Sequence, residues 1–332
     1  MPEEIRFGVI GCAQYGMQLC AGISNAPSAS VTMLMDTHQA ALDDLTEFYH
    51  IPTSTRAEDV ITNPKVDAVL IAAPTHEHTE LAQMAAQENK HVLIHGVLAD
   101  SLAQANDLID ACEKGDVHVG MTYLAQVDPA MGAARDLVRA GLLGDVISVR
   151  VTSLQTLEEI WPQVRQEGGG ALMGRLFEEI NTVRWVTGLE VASVFAQYDT
   201  LASSADVDDT AAMLLRYENG AIGIAQAGLR VPGGAHKDAD GPRIYATKGQ
   251  LILGSTPLIY REDAPEGSRP NGWQEIRYSG TRGDLAGAVE GFAQAVLGDD
   301  EPPASAYDGL EVLRVALAAY ASGHSGEPKE ID

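Results

Sequence analysis

The sequence predicts an α/β chain in two parts. A parallel, doubly wound sheet occupies residues 1–124, and an α+β half with a large, mostly antiparallel open sheet occupies 125–332. Three observations predict this. In the first part, short apolar runs alternate with amphipathic stretches, the grammar of parallel strands joined by crossover helices. After Asp128-Pro129 the strands lengthen and follow one another, with a single helix between them. Within that half, Tyr217-Glu218-Asn219-Gly220-Ala221 is a hairpin signal, because Asn-Gly suits the positive dihedrals of a two-residue turn.

Element by element, Ile5–Gly11 is a buried strand run ending in glycine, Gly16–Asn25 a helix, Val31–Asp36 a strand ending on an acid, and Gln39–Tyr49 a helix. Val66–Ala73 is a strand closed by Pro74, which cannot extend a central ladder. Helix Glu77–Glu88, strand His91–His95, helix Leu102–Lys114 and strand Val117–Met121 complete the first part. Helix Ala130–Ala140 opens the second. Strands follow at Val146–Leu157, Ala192–Thr200, Thr210–Tyr217, Ala221–Leu229, Arg243–Ala246, Gln250–Leu253 and Glu275–Tyr278, interrupted by helix Ala171–Thr187. Tail helices Asp284–Leu297 and Gly309–Ser322 close the chain and are free to pack back on the first domain.

Composition narrows the function. At 332 residues and 45% apolar content, the chain can bury sizeable cores. With 22 Lys and Arg against 47 Asp and Glu, its formal charge of −25 repels nucleic-acid backbones and anionic membranes. The acid excess fits solubility in a saline cytoplasm. No apolar run reaches membrane-spanning length, and the N-terminus lacks a secretory pattern, so a cytoplasmic location is expected. Cys12, Cys20 and Cys112 form neither a metal-ligand spacing nor an even disulfide set. His76-x-His78 has no evident third partner, so no metal is expected.

Gly8-Val9-Ile10-Gly11-Cys12-Ala13-Gln14-Tyr15-Gly16 follows the first strand and opens a helix. It is a dinucleotide fingerprint, Gly-x-Gly-x-x-Gly, with Ala13 in place of the middle glycine. Gly11 permits the tight turn and Gly16 close helix packing; Ala13 adds one methyl where the backbone approaches a pyrophosphate. Asp36 lies 20 residues past Gly16, where an acid binds the ribose 2′-hydroxyl and repels a 2′-phosphate. Thr37, His38 and Gln39 bring no arginine, so NAD(H) is favoured over NADP(H).

The chain resembles the Gfo/Idh/MocA family, the relatives of glucose–fructose oxidoreductase and inositol dehydrogenase, over nearly its whole length. Ala72-Ala73-Pro74-Thr75-His76-Glu77-His78 matches the family's Thr-Pro-x-x-x-His loop. Leu142-Leu143-Gly144-Asp145-Val146 matches its "iGev" turn, and Gly168–Leu172 with Arg184-Trp185 its "GGGaL…aRWl" helix. Tyr245-Ala246-Thr247-Lys248-Gly249-Gln250-Leu251 matches "GtkGtl". The resemblance implies an N-terminal Rossmann domain, a C-terminal α/β domain whose open sheet forms homodimers or homotetramers, and a nicotinamide flanked by Ala73, Pro74, Thr75, His76 and His78.

The departures gather where the family does its chemistry. At its Glu-Lys-Pro stand His95, Gly96 and Val97. At the Asp, His and final Asp of its glycine-led helix stand Gly174, Glu178 and Asn181, and its later glycine is Leu176. Hydride transfer from an alcohol needs a base for the hydroxyl proton. Glu178, at the histidine's helical position, and His95 are the candidates. Tyr123, Trp161, Arg165, Arg175 and Asn181 fall in segments that border the family's substrate cleft, and Arg165 or Arg175 suits an anionic substrate. Plainer readings fit the same residues: Glu178 with Glu179 as a polar helix face, Arg175 paired with either at helical spacing, His76 and His78 at a helix start, and His95 as a hydrogen-bonded strand end.

Three functions follow as expectations. The leading one is an atypical NAD(H)-dependent oxidoreductase for a sugar, cyclitol or related polar molecule. The second is an NAD-binding non-redox enzyme, a lyase, hydrolase or isomerase, on the same scaffold. The third is a catalytically inactive dinucleotide-binding or regulatory protein.

Overall fold

The computed structural model describes residues 4–13, 15–157, 169–234, 241–262 and 272–331. Its elements run β1 Ile5–Ile10, α1 Gly16–Asn25, β2 Ala29–Met35, α2 Gln39–Tyr49, β3 Thr53–Ser54, α3 Ala57–Ile61, β4 Ala68–Ile71, α4 His78–Gln87, β5 His91–Ile94, α5 Leu102–Lys114 and β6 Val119–Met121. There follow α6 Pro129–Arg139, β7 Val146–Leu154, α7 Ala171–Thr187, β8 Val191–Asp199, β9 Thr210–Tyr217 and β10 Ile222–Gly228. The chain ends with β11 Arg243–Ala246, β12 Gly249–Ile252, β13 Leu258–Arg261, β14 Gln274–Glu275, α8 Leu285–Gly298, α9 Ala306–Ser325 and β15 Lys329–Glu330. Two compact units result. Described residues up to 127, with 283–313, form one; those of 128–282, with the residues from 314 on, form the other.

The first unit is built on a six-stranded sheet of order β3-β2-β1-β4-β5-β6, every pair parallel. The apolar runs read from sequence are its buried strands: Phe7, Val9, Leu34, Leu70 and Leu93 have no exposed surface. Burying each such side chain contributes about 1.5–3 kcal/mol. α1 and α2 add Leu19, Ile23 and Leu42 to the same core. α8 packs here too: Phe292 lies 6.1 Å from Phe7 between ring centroids, and Glu290 accepts hydrogen bonds from the Ser28 amide and hydroxyl at 2.8 and 2.9 Å.

The second unit holds a nine-stranded sheet of order β14-β13-β12-β11-β7-β10-β9-β8-β15. All its pairs are antiparallel except β7 with β10. Strict alternation on β9 turns Ala211, Met213, Leu215 and Tyr217 inward and leaves Ala212, Leu214 and Arg216 outward. α7 covers the inner face against β7, β9 and β10.

Two sequence readings need correction. The Asn219-Gly220 connection is not a two-residue turn with both dihedrals positive: only Gly220 has positive φ, +87°. Asn219 Oδ1 instead accepts the Ala221 amide at 2.9 Å, and Tyr217 N donates to Ala221 O at 3.0 Å, closing a three-residue loop around a glycine bulge. The strand read at Glu275–Tyr278 is only Gln274–Glu275, set by pairing with Leu258 and Ile259 of β13. Periodicity does not reveal β3, α3, β13 or β15, each five residues or fewer and too short to show a period. No helix among the described residues is long and apolar enough to cross a membrane.

Candidate functional site

In the first unit, the glycine turn sits at the carboxyl end of β1, beside the point where the strand order reverses between β2 and β4, the usual ligand crevice of such sheets. A Cβ at Gly11 would lie 2.6 Å from the Ala72 carbonyl and the Ala73 amide nitrogen, so only glycine fits. Asp36 is buried, and its Oδ2 accepts the backbone amides of Cys12 and Ala13, each at 2.8 Å. Its Oδ1 accepts the His38 amide at 2.8 Å. With two acceptor sites per carboxylate oxygen, Oδ2 is filled, and Oδ1 has a second site that a ribose hydroxyl would share with the exposed His38 ring, whose Nδ1 lies 3.4 Å away. α1 has neither a side-chain cap nor an acid in its first turn, so its terminal amides suit a phosphate. These residues therefore fit a dinucleotide. Burial pushes the Cys12 thiol up to about 12, so it is a packed thiol rather than a nucleophile. Gln14 lies outside the described residues.

Next to this turn, Ala73, Pro74, Thr75 and His76 lead into α4 through a short 3-10 turn over Thr75–Glu77. Thr75 is buried, whereas the His76 ring is half exposed and 3.7 Å from the Glu77 carboxylate. His78 is buried, with Nε2 2.8 Å from Ala73 O and Nδ1 3.2 Å from Leu98 O, so it ties the two loops together. His95 follows β5; its Nδ1 lies 2.8 Å from Thr122 Oγ1, and the Tyr15 ring meets it edge-on at 5.1 Å. Burial, then the nearby His78, push its pKa down to about 4. The ring is neutral near pH 7, which suits a hydrogen-bonding group better than a base working there. Gly96 has φ +98° with open space where a Cβ would point. Tyr123 is only 1% exposed.

In the second unit, α7 is fixed at its N-terminus by Asp208. The Ala171 amide donates to Asp208 O at 2.7 Å, the Leu172 amide to Oδ2 at 2.8 Å, and Tyr320 Oη to Oδ1 at 2.8 Å. Gly170 has φ +102°, and a Cβ there would come within 2.5 Å of Asp208 Oδ1. Gly170 is thus explained by a buried acid, Asp208, far on in the chain, for which the sequence carried no signal. Along the helix, Arg175, Glu178 and Glu179 are half-buried and Asn181 is 1% exposed. Arg175 Nε is buried with no hydrogen-bond acceptor. Burial raises the Glu178 pKa against the pull of Arg175. Burial, then the Glu178 charge, raises Glu179 to about 7, while the Ser153 side chain of β7 hydrogen-bonds its carboxyl. Glu179 and Ser153 were not legible as site residues: a second glutamate reads as helix surface and a serine on a strand as filler. Trp161 and Arg165 lie outside the described residues. Among those described, no three His, Cys, Asp or Glu residues are grouped to hold a metal ion.

Residues 5–123 match a family model described as an oxidoreductase family with an NAD-binding Rossmann fold, and residues 131–252 match the GFO/IDH/MocA C-terminal domain. Among similar proteins, myo-inositol 2-dehydrogenase of Thermotoga maritima is 25% identical over 96% of each chain. The 1,5-anhydro-D-fructose reductase of Ensifer adhaerens is 25% identical over 98% of each. The structure of a levoglucosan dehydrogenase, in complex with NADH and levoglucosan, superposes with a TM-score of 0.85 at 19% identity, covering 99% of both chains. The two matched halves, in this order and over this fold, show that the chain belongs to the Gfo/Idh/MocA oxidoreductase family, with its NAD-binding Rossmann fold in the first half.

Proposed function

We propose that this protein is an NAD(H)-dependent oxidoreductase acting on a sugar, cyclitol or related polar small molecule, with Glu178 in place of the family's histidine and no side chain, at Gly96, in place of its lysine. The observation that carries the reading is Asp36, locked to the glycine turn through Oδ2, with the exposed His38 rather than an arginine at Oδ1. That arrangement favours a 2′-hydroxyl over a 2′-phosphate, hence NAD(H) over NADP(H). Bound NAD supplies the hydride-accepting ring.

In this reading Glu178 takes the substrate hydroxyl proton, and the unpartnered Arg175 Nε donates to a substrate oxygen. His95 contributes a hydrogen bond rather than a proton. Tyr15, Ala73, Pro74, Thr75 and His76 shape the nucleotide side of the first unit, and His78 holds their turn. The relatives that act on inositol and anhydro sugars support the substrate class. Three free, buried cysteines fit a cytoplasmic protein.

Fluorescence titration with NADH and NADPH, then a cyclitol and sugar panel followed by NADH absorbance, tests the reading. Failure to bind NADH, or silence across the panel with NAD bound, overturns it. Gly96 favours a second reading, a net redox-neutral enzyme, because its positive φ disfavours the family's lysine at that position. That reading expects cofactor retained through purification and product formed without net NADH.

The same proposal includes a homo-oligomer formed through the outer face of the nine-stranded sheet. Register places Phe195, Leu214, Ile224, Arg150 and Arg243 in one row across five adjacent strands, with Ser193, Arg216, Ile222, Ser148 and Tyr245 in the next. Leu214, Ile222 and Ile224 are 51, 43 and 54% exposed. In a chain with 47 acids, neither row carries one here, and among the described residues of these strands acids enter this face at its margins, at Asp199, Glu275 and Glu330. A surface kept apolar and free of acid suits a second copy of the chain better than water.

A further inference from the structure

At the carboxyl end of the parallel sheet, strand order orients a bound dinucleotide. Asp36, just past β2, marks the side of one ribose, and the glycine turn after β1 meets the pyrophosphate. The nicotinamide half therefore belongs on the side of β4 and β5, and His95 is the first residue past β5. The main chain there is fixed. His95 N donates to Ile71 O of β4 at 2.9 Å, and Thr122 N donates to Ile94 O of β5 at 3.0 Å. Gly96 brings no side chain, and Val97 and Leu98 are buried and apolar. The imidazole is thus the polar group that β5 presents at this end.

Two neighbours set the ring. Tyr15 meets it edge-on, with 69° between the planes, and Nδ1 lies 2.8 Å from Thr122 Oγ1. Thr122 is 3% exposed, and among the described residues its hydroxyl has no other hydrogen-bond partner. A buried hydrogen left without an acceptor costs more than an unused oxygen lone pair. The hydroxyl therefore donates and Nδ1 accepts. A neutral imidazole carries its proton on one nitrogen, so here the proton sits on Nε2. The ring is neutral near pH 7, since burial and then His78 hold its pKa at about 4. Nε2 has no hydrogen-bond partner among the described residues, yet it is not sealed in the core. It is the nitrogen left for a ligand.

We propose that His95 is a fixed, neutral hydrogen-bond donor: the Thr122 hydroxyl holds its proton on Nε2, and that N–H serves a carbonyl oxygen at the nicotinamide end of the crevice. The inference rests on the oxidoreductase reading above. Two sources offer such an oxygen, the carboxamide of the nicotinamide and the carbonyl form of the substrate. A neutral imidazole N–H polarises either one without giving up its proton. No proton changes hands at His95: the ring starts and ends each turnover protonated on Nε2, and the proton of the substrate hydroxyl goes to another group. The same tautomer bars the ring from acting as a base, because Nε2 already carries a proton and Nδ1 is occupied by Thr122. Thr122 acts through His95 and is a positioning residue.

Nitrogen NMR of the cofactor-free protein near neutral pH reads the tautomer. The histidine signals that vanish in His95→Ala are expected to show a protonated Nε2 and a bare Nδ1. Thr122→Val keeps the shape without the hydroxyl and is expected to release a mixture of tautomers, whereas Thr122→Ser restores the single one. Titration with NADH, and with ADP-ribose as the same nucleotide lacking nicotinamide, separates the two sources of oxygen. If the carboxamide is the acceptor, His95→Ala weakens NADH by roughly 3- to 10-fold, the worth of one neutral hydrogen bond, and leaves ADP-ribose unchanged. If the substrate is the acceptor, both nucleotides bind as before and kcat/KM falls by at least that factor. In either case His95→Gln, which keeps an N–H at similar reach, recovers part of the loss. A proton on Nδ1 in the wild type, equal weakening of NADH and ADP-ribose, or no loss in binding or turnover overturns the proposal. Should His95→Ala fail to fold, His95→Phe, which keeps a ring against Tyr15, takes its place. Should the substrate panel be silent with NADH bound, the oxidoreductase reading fails, while the tautomer and the comparison of NADH with ADP-ribose still decide the donor.

Discussion

Asp36 Oδ2 lies 2.8 Å from the backbone nitrogen of Ala13, so the acid that faces the cofactor also holds the turn that cradles it. Asp36→Ala removes the acceptor for that amide and for Cys12 N. Leaving a buried donor unsatisfied costs about 1–3 kcal/mol. A drop in urea midpoint is therefore expected alongside at least ~10-fold weaker NADH binding, the equivalent of about 1.4 kcal/mol. Asp36→Asn should keep more stability than Asp36→Ala, yet narrow the preference for NADH over NADPH. Titration of both nucleotides against the three proteins checks this.

Gly170→Ala should destabilise the second unit. The methyl meets Asp208 Oδ1 at 2.5 Å on backbone with φ +102°, a conformation that costs a non-glycine residue of order 1–3 kcal/mol. Thermal melts read the loss. An Asp208→Asn, Gly170→Ala double variant should be less than additive, because the pair are in contact.

Stability should respond to pH in two opposing ways. His91 and His95 are held down to about 4 in the fold, against about 6.5 when unfolded. The unfolded chain therefore binds protons first, and stability falls as pH drops from about 6.5 towards 4. Glu179 is the reverse case: raised to about 7, it takes its proton first in the fold, so stability falls as pH rises from about 4.5 to 7. Glu179→Gln is expected to gain on the order of 1–2 kcal/mol at pH 8, after discounting for partial exposure, and little at pH 4.5. His95→Gln should flatten the acid limb. Urea midpoints at pH 4.5, 6 and 8 separate the two.

Leu214→Asp or Ile224→Asp should yield monomer by light scattering, with NADH binding retained. Placing a charge at the centre of the outer face tests the interface without touching either unit's inner core. An unchanged mass for both variants would remove this face as the interface.

Much of this was readable in the chain because local patterns carry it. The helix over Ala171–Thr187 and the glycine turn before α1 follow from period and punctuation. What stayed hidden depends on distance in sequence. Asp208 makes sense of Gly170 only once β9 has been folded beside α7, and Ser153 becomes a partner of Glu179 only when β7 lies under that helix. His78 matched a loop motif, but its burial between Ala73 and Leu98 belongs to packing. The carboxylate of Asp36 was legible as a ribose ligand and illegible as an anchor, since hydrogen bonds to backbone leave no mark on residue identity.

Gly96 limits which residues can follow His95. Its φ of +98° is one that side-chain-bearing residues rarely adopt, although the space beyond is open. Regaining the family's lysine by a single codon change would strain the main chain before the ammonium could help any reaction. Any side chain introduced after His95 therefore meets the constraint of the main chain before its chemistry can matter.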